Sequence, residues 1–324
     1  MNETEKIRAE HKSQITNHKP PLRVALKVDC DTYVGTRDGI PRLLEIFRTK
    51  GIRATFFFTF GPDRSGVAAR RFFTTPGFLR KMWKSGAGSL YGFPTILYGT
   101  LLPAPIIGER CAVQMRSVAE AGHEIGVHAW DHVGWHDHLD RWSDEKIHEQ
   151  TDLAHAAFQR IFGVPALASA AAGWTVNGRS LALEAERGLL FTSNTRRGKP
   201  FFPIVAGRPS PTLEIPTTLP TLDETLAWPQ LGPRGEAQRG FFRDAPRQTD
   251  VHTIHTEVEG RSRAPLFEQI LNDWGERGVR FLTLGDLARE TLAHREEIPV
   301  RDVKRQQLAG RGGTVATGWA EERS

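Results

Sequence analysis

Short apolar runs alternate with amphipathic stretches along most of the chain. Leu22–Asp31 is an apolar run that ends in two acids, which is typical of a buried strand. The next segment, IPRLLEIFRTKG, predicts a helix with Pro41 in its first turn and Gly51 at its end. Residues 52–60 (IRATFFFTF) then predict a second buried strand.

The same alternation resumes after residue 110. Glu124–Trp130 predicts a strand, and Asp144–Phe162 predicts a helix whose first turn holds two acids, as the helix dipole favours. Seven or eight strands alternating with helices over about 270 residues predict a largely parallel sheet closed into a (β/α) barrel. The remaining predicted strands are Ala166–Ala170, Leu189–Asn194, Leu213–Thr218, Val251–Thr256 and Val279–Leu284, and the remaining helices are Pro265–Arg277 and Gly285–Thr291.

The two ends of the chain lack this pattern. Residues 1–20 are polar and residues 295–324 are charged and rich in glycine, so we predict both ends to be flexible and the barrel to occupy residues 21–294. The N-terminal residues hold no apolar run of a secretory signal, so we expect a cytosolic protein. The net charge is +5, which could suit nucleic-acid binding, but the sequence shows no motif for it. It has neither zinc-finger spacing nor a helix-turn-helix nor an RNP-like strand.

Two acids at the end of the first predicted strand are the first candidates for chemistry. In a parallel barrel the chemistry gathers at the C-terminal ends of strands, and Asp29 and Asp31 stand there. Alternate side chains of a strand share a face, so both carboxylates can enter one mouth. Two close carboxylates repel unless a cation or a proton lies between them. The alternative is a solvated strand end with a helix-capping acid.

Histidines follow two other predicted strands. His128 and His132 are four residues apart, a spacing that lets two imidazoles reach one metal from a helical turn or a tight loop. His255 lies near the end of a later strand, on which His252 would face the other way. Each signal alone is weak, because histidines also cluster on surfaces and pack in cores against a carbonyl group.

Together these residues suit metal-assisted hydrolysis of an amide. Two histidines and one carboxylate can bind a divalent ion and leave a position open for water. The ion lowers the pKa of that water, a spare carboxylate can take its proton, and a further histidine can protonate the leaving amine. Zinc, cobalt, manganese and nickel all suit such ligands, so the sequence leaves the metal open.

This set of motifs resembles the polysaccharide deacetylases of the NodB-homology group, carbohydrate esterase family four. The resemblance implies a distorted (β/α)7 barrel that removes acyl groups from sugars with one divalent metal ion. Carried over to this sequence, it implies Asp29 as the general base and His255 as the general acid. It also implies that the metal ligands are Asp31, His128 and His132.

One motif of the family is missing. The family's third motif is Arg-x-Pro, and SAAAGW, which ends at Trp174, stands in that region. Arg196, in SNTRRG, is our candidate for the missing arginine that orients the base, and Arg196 and Trp174 are candidate substrate-binding residues. The resemblance also implies an aspartate near Asn194, where this sequence has an amide.

Several segments between residues 24 and 284 resemble one branch of this family more closely. That resemblance implies deformylation of an undecaprenyl-phosphate-linked formamido sugar by a protein peripheral to the cytoplasmic face of the inner membrane, for modification of lipid A. The segments are KVDCDTYVGTRDGIPRLLEIF, RATFFFTFGPDRSG, SLYGFPTILYGTLLP, EIGVHAWDHVGWHD, SAAAGW, LPTLDE and TIHTEVEG.

An insert at residues 61–110 supports a lipid-linked substrate independently. It holds seven basic residues against two acids, and its uncharged run Ser85–Gly108 has too many glycines and prolines for a spanning helix. An apolar surface beside basic residues suits an acyl chain joined to a phosphate, or an anionic leaflet. The alternative is a helical hairpin packed on the barrel. The candidate lipid-binding residues are Leu97, Tyr98, Leu101 and Leu102.

Two other functions stay open at this point. A deacetylase of a soluble or polymeric sugar, such as peptidoglycan, would usually be exported, and no signal for export is visible. A non-catalytic protein that binds anionic lipid would use the basic charge but would leave the strand-end acids and histidines without a role. The sequence does not indicate an oligomeric state.

Overall fold

The structure of the chain is a computed structural model. It describes residues 21–68, 95–226, 228–231, 235–308, 311 and 313–319. The strands are β1 Arg23–Cys30, β2 Thr55–Thr59, β3 Glu124–Ala129, β4 Ala168–Ser169, β5 Phe191–Thr192, β6 Phe202–Val205, β7 Arg208–Pro209, β8 Leu213–Glu214, β9 Thr249–His255, β10 Arg280–Leu282, β11 Val300–Gln307 and β12 Thr314–Trp319. The helices are α1 Ile40–Lys50, α2 Ile107–Arg110, α3 Ala112–Glu120, α4 His132–His138, α5 Asp144–Phe162, α6 Gly178–Ala185, α7 Leu222–Leu226, α8 Gly235–Asp244, α9 Ala264–Glu276 and α10 Leu284–Leu292.

A parallel sheet of eight strands forms the centre of the fold. Strand β1 pairs with β9 along one side, and on the other side it pairs first with β10 and then with β2. The sheet continues from β2 through β3, β4 and β5 to β8. Beyond β8, the backbone N–H groups of Thr218 and Leu219 donate to the carbonyl of Val251 in β9. These bonds join the two ends of the sheet, so the predicted distorted (β/α)7 barrel is confirmed.

All five residues of strand β2 are buried, because both faces of the strand are covered. On the outer face, the Phe56 ring meets Phe47 of α1 edge to face, with centroids 6.2 Å apart. Phe47 in turn meets Phe267 of α9 at 6.3 Å. On the inner face, Phe57 meets Phe191 of β5 at 6.5 Å. These aromatic contacts hold the helices against the sheet and fix the strands whose ends carry the site.

The helix boundaries follow the capping residues that the sequence supplies. The predicted helix Asp144–Phe162 is confirmed as α5: the Ser143 hydroxyl accepts from the backbone N–H of Lys146, and Gly163 ends the helix with φ of 74°. In the same way, Gly51 ends α1 with φ of 63°.

The C-terminal segment is folded, and the prediction of a flexible tail at 295–324 is wrong for its two strands. Strands β11 and β12 pair antiparallel, and β11 also pairs with β6, which gives a second sheet of order β12-β11-β6-β7. The sequence of β11 is mostly polar because one of its faces is exposed, while Val315 and Ala316 of β12 are buried. The prediction for residues 1–20 lies outside the described residues, as does the part of the insert at 69–94.

Two π-helical turns approach each other closely beside the ends of β1 and β9. They are Gly35–Gly39 and Val258–Ser262. A Cβ atom on Gly39 would collide with the backbone carbonyl of Thr256, and a Cβ on Gly260 would lie 2.7 Å from the Cα of Gly39. Only glycine fits here, because the atoms in the way belong to the backbone.

We expect Gly39→Ala to lower the free energy of unfolding by about 1–3 kcal/mol, the usual cost of overpacking. The control is Gly240→Ala in α8, where an added Cβ meets nothing within 4 Å. That change should raise the stability by about 0.5–1 kcal/mol, because glycine weakens a helix interior. Denaturant unfolding of the two variants measures both changes. Equal stabilities would contradict the close approach of the two turns.

Candidate metal and acid–base site

Asp31, His128 and His132 form one cluster at the C-terminal edge of the parallel sheet. Nε2 of His128 lies 3.2 Å from Oδ1 of Asp31, and Nε2 of His132 lies 3.4 Å from Oδ2 of Asp31. One candidate ligand atom from each residue lies within 4.8 Å of the others. Asp31 follows β1, His128 lies in β3 and His132 begins α4. The structure thus brings together the three residues that the sequence nominated as metal ligands.

The start of α4 explains why a spacing of four residues works here. Asp131 caps the helix, since its Oδ1 accepts from the backbone N–H of Gly134 at 2.8 Å. Its Oδ2 accepts from Nη1 of Arg64 at 2.8 Å. The chain therefore turns sharply between His128 at the end of the strand and His132 in the first helical turn, and both rings face Asp31.

The protonation states of the cluster suit a divalent ion. Burial at the site lowers the pKa of His132 to about 4, so its imidazole is neutral at physiological pH. Burial acts to raise the pKa of Asp31, but His132 and His128 outweigh it and hold that pKa below its usual range. In the described part of the chain, Nδ1 of His128 and Oδ1 of Asp31 have no hydrogen-bond partner. One carboxylate and two imidazoles form a common donor set for divalent transition metals, so these residues fit such an ion.

Asp29 lies buried in β1, two residues before the cluster. Its Oδ2 lies 3.3 Å from Nζ of Lys27, and its Oδ1 has no hydrogen-bond partner among the described residues. One oxygen of the carboxylate is thus held, while the other is available to accept a proton. Lys27 has no role in the sequence prediction, since a single lysine within an apolar run gives little signal.

His255 stands directly across from Asp29, because the two residues are in register on the paired strands β9 and β1. Its Nδ1 lies 3.5 Å from Oδ1 of Asp223 in α7. Burial acts to lower the pKa of His255, but Asp223, with Asp31 and Glu257, raises it well above its usual value. The Asp223 carboxylate therefore favours the protonated form of His255. Asp223 was missed as a site residue, and its only signal was its place in the segment LPTLDE.

We expect Asp223→Asn to move the alkaline limb of the kcat profile to lower pH. His255 can act as an acid only below its pKa, and the change removes the carboxylate that raises this pKa most. Asp31 and Glu257 also raise it, so part of the upward shift remains.

Steady-state kinetics over a pH series measure that shift, with Asp144→Asn as the surface control, since the Asp144 side chain is 68% exposed. An alkaline limb that stays in place in Asp223→Asn would contradict the pairing of His255 with Asp223.

Arg196 does not take the role of the missing arginine. Its guanidinium donates to Oε1 and Oε2 of Glu224 at 2.6 and 3.0 Å and to the backbone carbonyl of Leu219. The prediction that it orients Asp29 is wrong, because Lys27 of β1 lies beside Asp29 instead.

Trp174 and Asn194 shape the wall of the site. Trp174 is buried, and its ring stands edge-on to His255 with centroids 6.4 Å apart. Oδ1 of Asn194 accepts from the backbone N–H of Ala171, and its Nδ2 donates to Glu184, each at 2.7 Å. An amide can make both bonds and a carboxylate cannot, which accounts for asparagine at this position. Contact of Trp174 and Arg196 with the substrate stays a prediction.

The described end of the insert packs beside the site. The ring of Tyr98 meets Tyr33 edge to face with centroids 6.0 Å apart, and Tyr33 follows Asp31 by two residues. Leu97 and Tyr98 are half-buried, whereas Leu101 is 81% exposed and Leu102 is 40% exposed. Among the helices of the described residues, none has the length and apolar character that crossing a membrane requires.

The chain is similar to known proteins over most of its length. Residues 16–190 match the family described as polysaccharide deacetylase. A protein of Shewanella sediminis named "probable 4-deoxy-4-formamido-L-arabinose-phosphoundecaprenol deformylase ArnD" is 36% identical over 295 residues, 91% of this chain and 94% of that protein. A protein of the same name from Wigglesworthia glossinidia brevipalpis is 33% identical over 87% of this chain and 98% of its own length.

Solved structures share the fold. A putative polysaccharide deacetylase from Mycobacterium smegmatis superposes with a TM-score of 0.61 at 18% identity, covering 89% of this chain and 98% of that one. A probable polysaccharide deacetylase from Pseudomonas aeruginosa PAO1 gives a TM-score of 0.58 at 18% identity, with 85% and 92% covered. The chain belongs to the polysaccharide deacetylase family. It is a hydrolase of amide C–N bonds, in a family that is generally metal-dependent.

Proposed function

We propose that this protein is a metal-dependent deformylase of undecaprenyl-phosphate-linked 4-deoxy-4-formamido-L-arabinose. The observation that carries the proposal is the placement of Asp29 and His255 across from each other on paired strands, beside Asp31, His128 and His132. The substrate comes from the names of the two relatives, which match 91% and 87% of this chain. The products are formate and the free amino sugar lipid, for modification of lipid A and resistance to cationic peptides such as polymyxin.

The residues divide the work of amide hydrolysis. Asp31, His128 and His132 would hold a divalent ion, which polarises the amide carbonyl and lowers the pKa of water when it is bound. The Asp29 carboxylate takes a proton from the attacking water as the oxygen–carbon bond forms. Protonated His255 donates its proton to the sugar nitrogen as the carbon–nitrogen bond breaks. The proton from water thus ends on Asp29, and the amine leaves neutral.

The described end of the insert supports contact with a lipid surface. Leu101 and Leu102 expose apolar area. The turn that precedes them lies close to Arg64, since an added Cβ on Gly99 would lie 3.3 Å from the Cα of Arg64. The side chain of Arg64 is 51% exposed. Exposed leucines next to an arginine suit an acyl chain joined to a phosphate. We therefore infer peripheral association with the cytoplasmic face of the inner membrane.

Replacing Leu101 and Leu102 together with serine is expected to weaken binding to anionic vesicles by about 100-fold or more, because each leucine that the membrane buries contributes about 1.5–3 kcal/mol. The KM for the long-chain lipid should rise accordingly. Leu167→Ser is the matched control, since Leu167 is 57% exposed and lies just before β4, at the opposite end of that strand from the site. Vesicle sedimentation measures the effect. Unchanged vesicle binding in the double variant would place the lipid elsewhere.

A comparison of two substrates tests the proposed reaction against a second candidate, deacetylation. The same lipid carrier is prepared with a formamido and with an acetamido sugar, and kcat/KM is measured for each with metal-loaded protein. We expect the formamido lipid to be the better substrate. A clear preference for the acetamido sugar would make the protein a deacetylase.

A further inference from the structure

We propose that Lys27 positions the carboxylate of Asp29 and so supplies the function of the arginine that the third motif lacks. The proposal rests on the proposed function only in that Asp29 acts as the base. Lys27 lies on β1 two residues before Asp29, so that the two side chains share one face of the strand. No substrate contact is assigned to Lys27, because its side chain is fully buried.

The amine of Lys27 is fixed by neighbours on several sides. Its Nζ lies 3.3 Å from Oδ2 of Asp29 and donates to the backbone carbonyl of Ser193 at 3.1 Å. The ring of Trp174 lies 5.1 Å from Nζ and that of Phe57 lies 5.6 Å from it, measured to the centroids. Both rings add a favourable cation–π contact. Lys27 thus connects Asp29 of β1 to the segment that follows β5.

The carbonyl that holds Lys27 is itself held rigidly. Ser193 follows β5, and the next two backbone N–H groups, of Asn194 and Thr195, both donate to Oε1 of Glu214 at 2.8 Å. The Ser193 hydroxyl donates to the backbone carbonyl of Ile215 at 2.8 Å. These hydrogen bonds hold the loop, so the Ser193 carbonyl has a defined position. The Lys27 amine that donates to this carbonyl is positioned by it, and Oδ2 of Asp29 is positioned in turn by the amine.

A gain in stability does not explain the buried pair of Lys27 and Asp29. Two charges taken out of water gain little net free energy, and apolar residues of similar volume are often as stable. A positioning role is different: it leaves one oxygen of Asp29 engaged and the other, Oδ1, without a partner among the described residues. A general base needs this arrangement, in which one oxygen fixes the orientation of the carboxylate and the other accepts the proton.

A double-mutant cycle separates positioning from a structural role. Lys27→Met removes the amine and keeps an unbranched side chain as far as the Cε atom. We expect kcat to fall about 10- to 100-fold while KM stays within about twofold. In an Asp29→Asn background the same substitution should change kcat by less than about twofold, because the carboxylate that Lys27 orients is already gone. Metal content and melting temperature are measured for all four proteins.

The cycle has outcomes that overturn the proposal. An equal loss of kcat in both backgrounds would make Lys27 a structural residue, and an unchanged kcat in Lys27→Met would remove it from the reaction. If Lys27→Met does not fold, Lys27→Gln replaces it, since the amide keeps a donor for the Ser193 carbonyl. A wild-type protein that hydrolyses only the acetamido sugar contradicts the proposed function, and the cycle is then run on that sugar. A wild type that hydrolyses neither substrate contradicts both.

Discussion

Asp29→Asn is expected to retain the metal and to lower kcat by about 10²–10⁴-fold, the usual contribution of a general base. The amide is nearly isosteric with the carboxylate, so the packing around this buried position should survive. It cannot take a proton from water, and its Oδ1 no longer carries the charge that the carboxylate offers. Steady-state kinetics and metal analysis of the same preparation measure the two expected results together.

The control for this variant is Asp152→Asn, whose side chain is 67% exposed on α5 and pairs with Arg187. It should leave kcat unchanged. Loss of the metal together with activity in Asp29→Asn would instead make Asp29 a ligand. Full activity in Asp29→Asn would remove the base from the mechanism.

His128→Ala is expected to abolish both metal content and turnover. Its Nε2 lies 3.2 Å from Asp31 in the cluster, and its side chain is almost fully buried, so neither water nor a neighbouring side chain readily replaces the ligand. Two protein ligands, Asp31 and His132, would remain, which is fewer than catalytic zinc sites use.

Metal analysis after dialysis, together with turnover, measures the effect. His148→Ala is the matched control, because His148 is an exposed histidine of α5. Full metal and activity in His128→Ala would mean that the metal site is assigned to the wrong residues.

The parts of the site that the sequence predicted share one property: each lies at or near the C-terminal end of a parallel strand. Asp29 lies near the end of β1 and Asp31 follows it, His128 and His132 flank the end of β3, and His255 ends β9. A parallel barrel brings strand ends together, so their meeting follows from topology without side-chain detail.

The parts that the sequence missed depend on contacts between distant segments. Asp223 reaches His255 from a different element, 32 positions away in the chain, and no local spacing marks it. Arg196 and Lys27 are both basic and both lie near motifs, but only the folded structure shows that Arg196 pairs with Glu224. Lys27 is hidden because a buried lysine within a strand looks like an interruption of the apolar run.

The C-terminal strands show a different limit of sequence reading. The charged sequence of β11 predicts a flexible tail, yet its backbone pairs with both β12 and β6. A strand with one exposed face tolerates many charged residues. Its own sequence therefore does not identify it as a strand, and its pairing with the neighbouring strands does. The strand contributes to the site indirectly, since Arg311 between β11 and β12 pairs with Glu224 at 3.0 Å.

Mass spectrometry of the lipid-linked sugar tests the central claim most directly. Undecaprenyl-phosphate-linked 4-deoxy-4-formamido-L-arabinose is incubated with metal-loaded protein, and the lipid is analysed before and after. We expect the lipid to lose one formyl group, formate to appear in equal amount, and Asp29→Asn to slow both changes. An intact formamido lipid after incubation with fully metal-loaded wild-type protein would contradict the proposed deformylase activity.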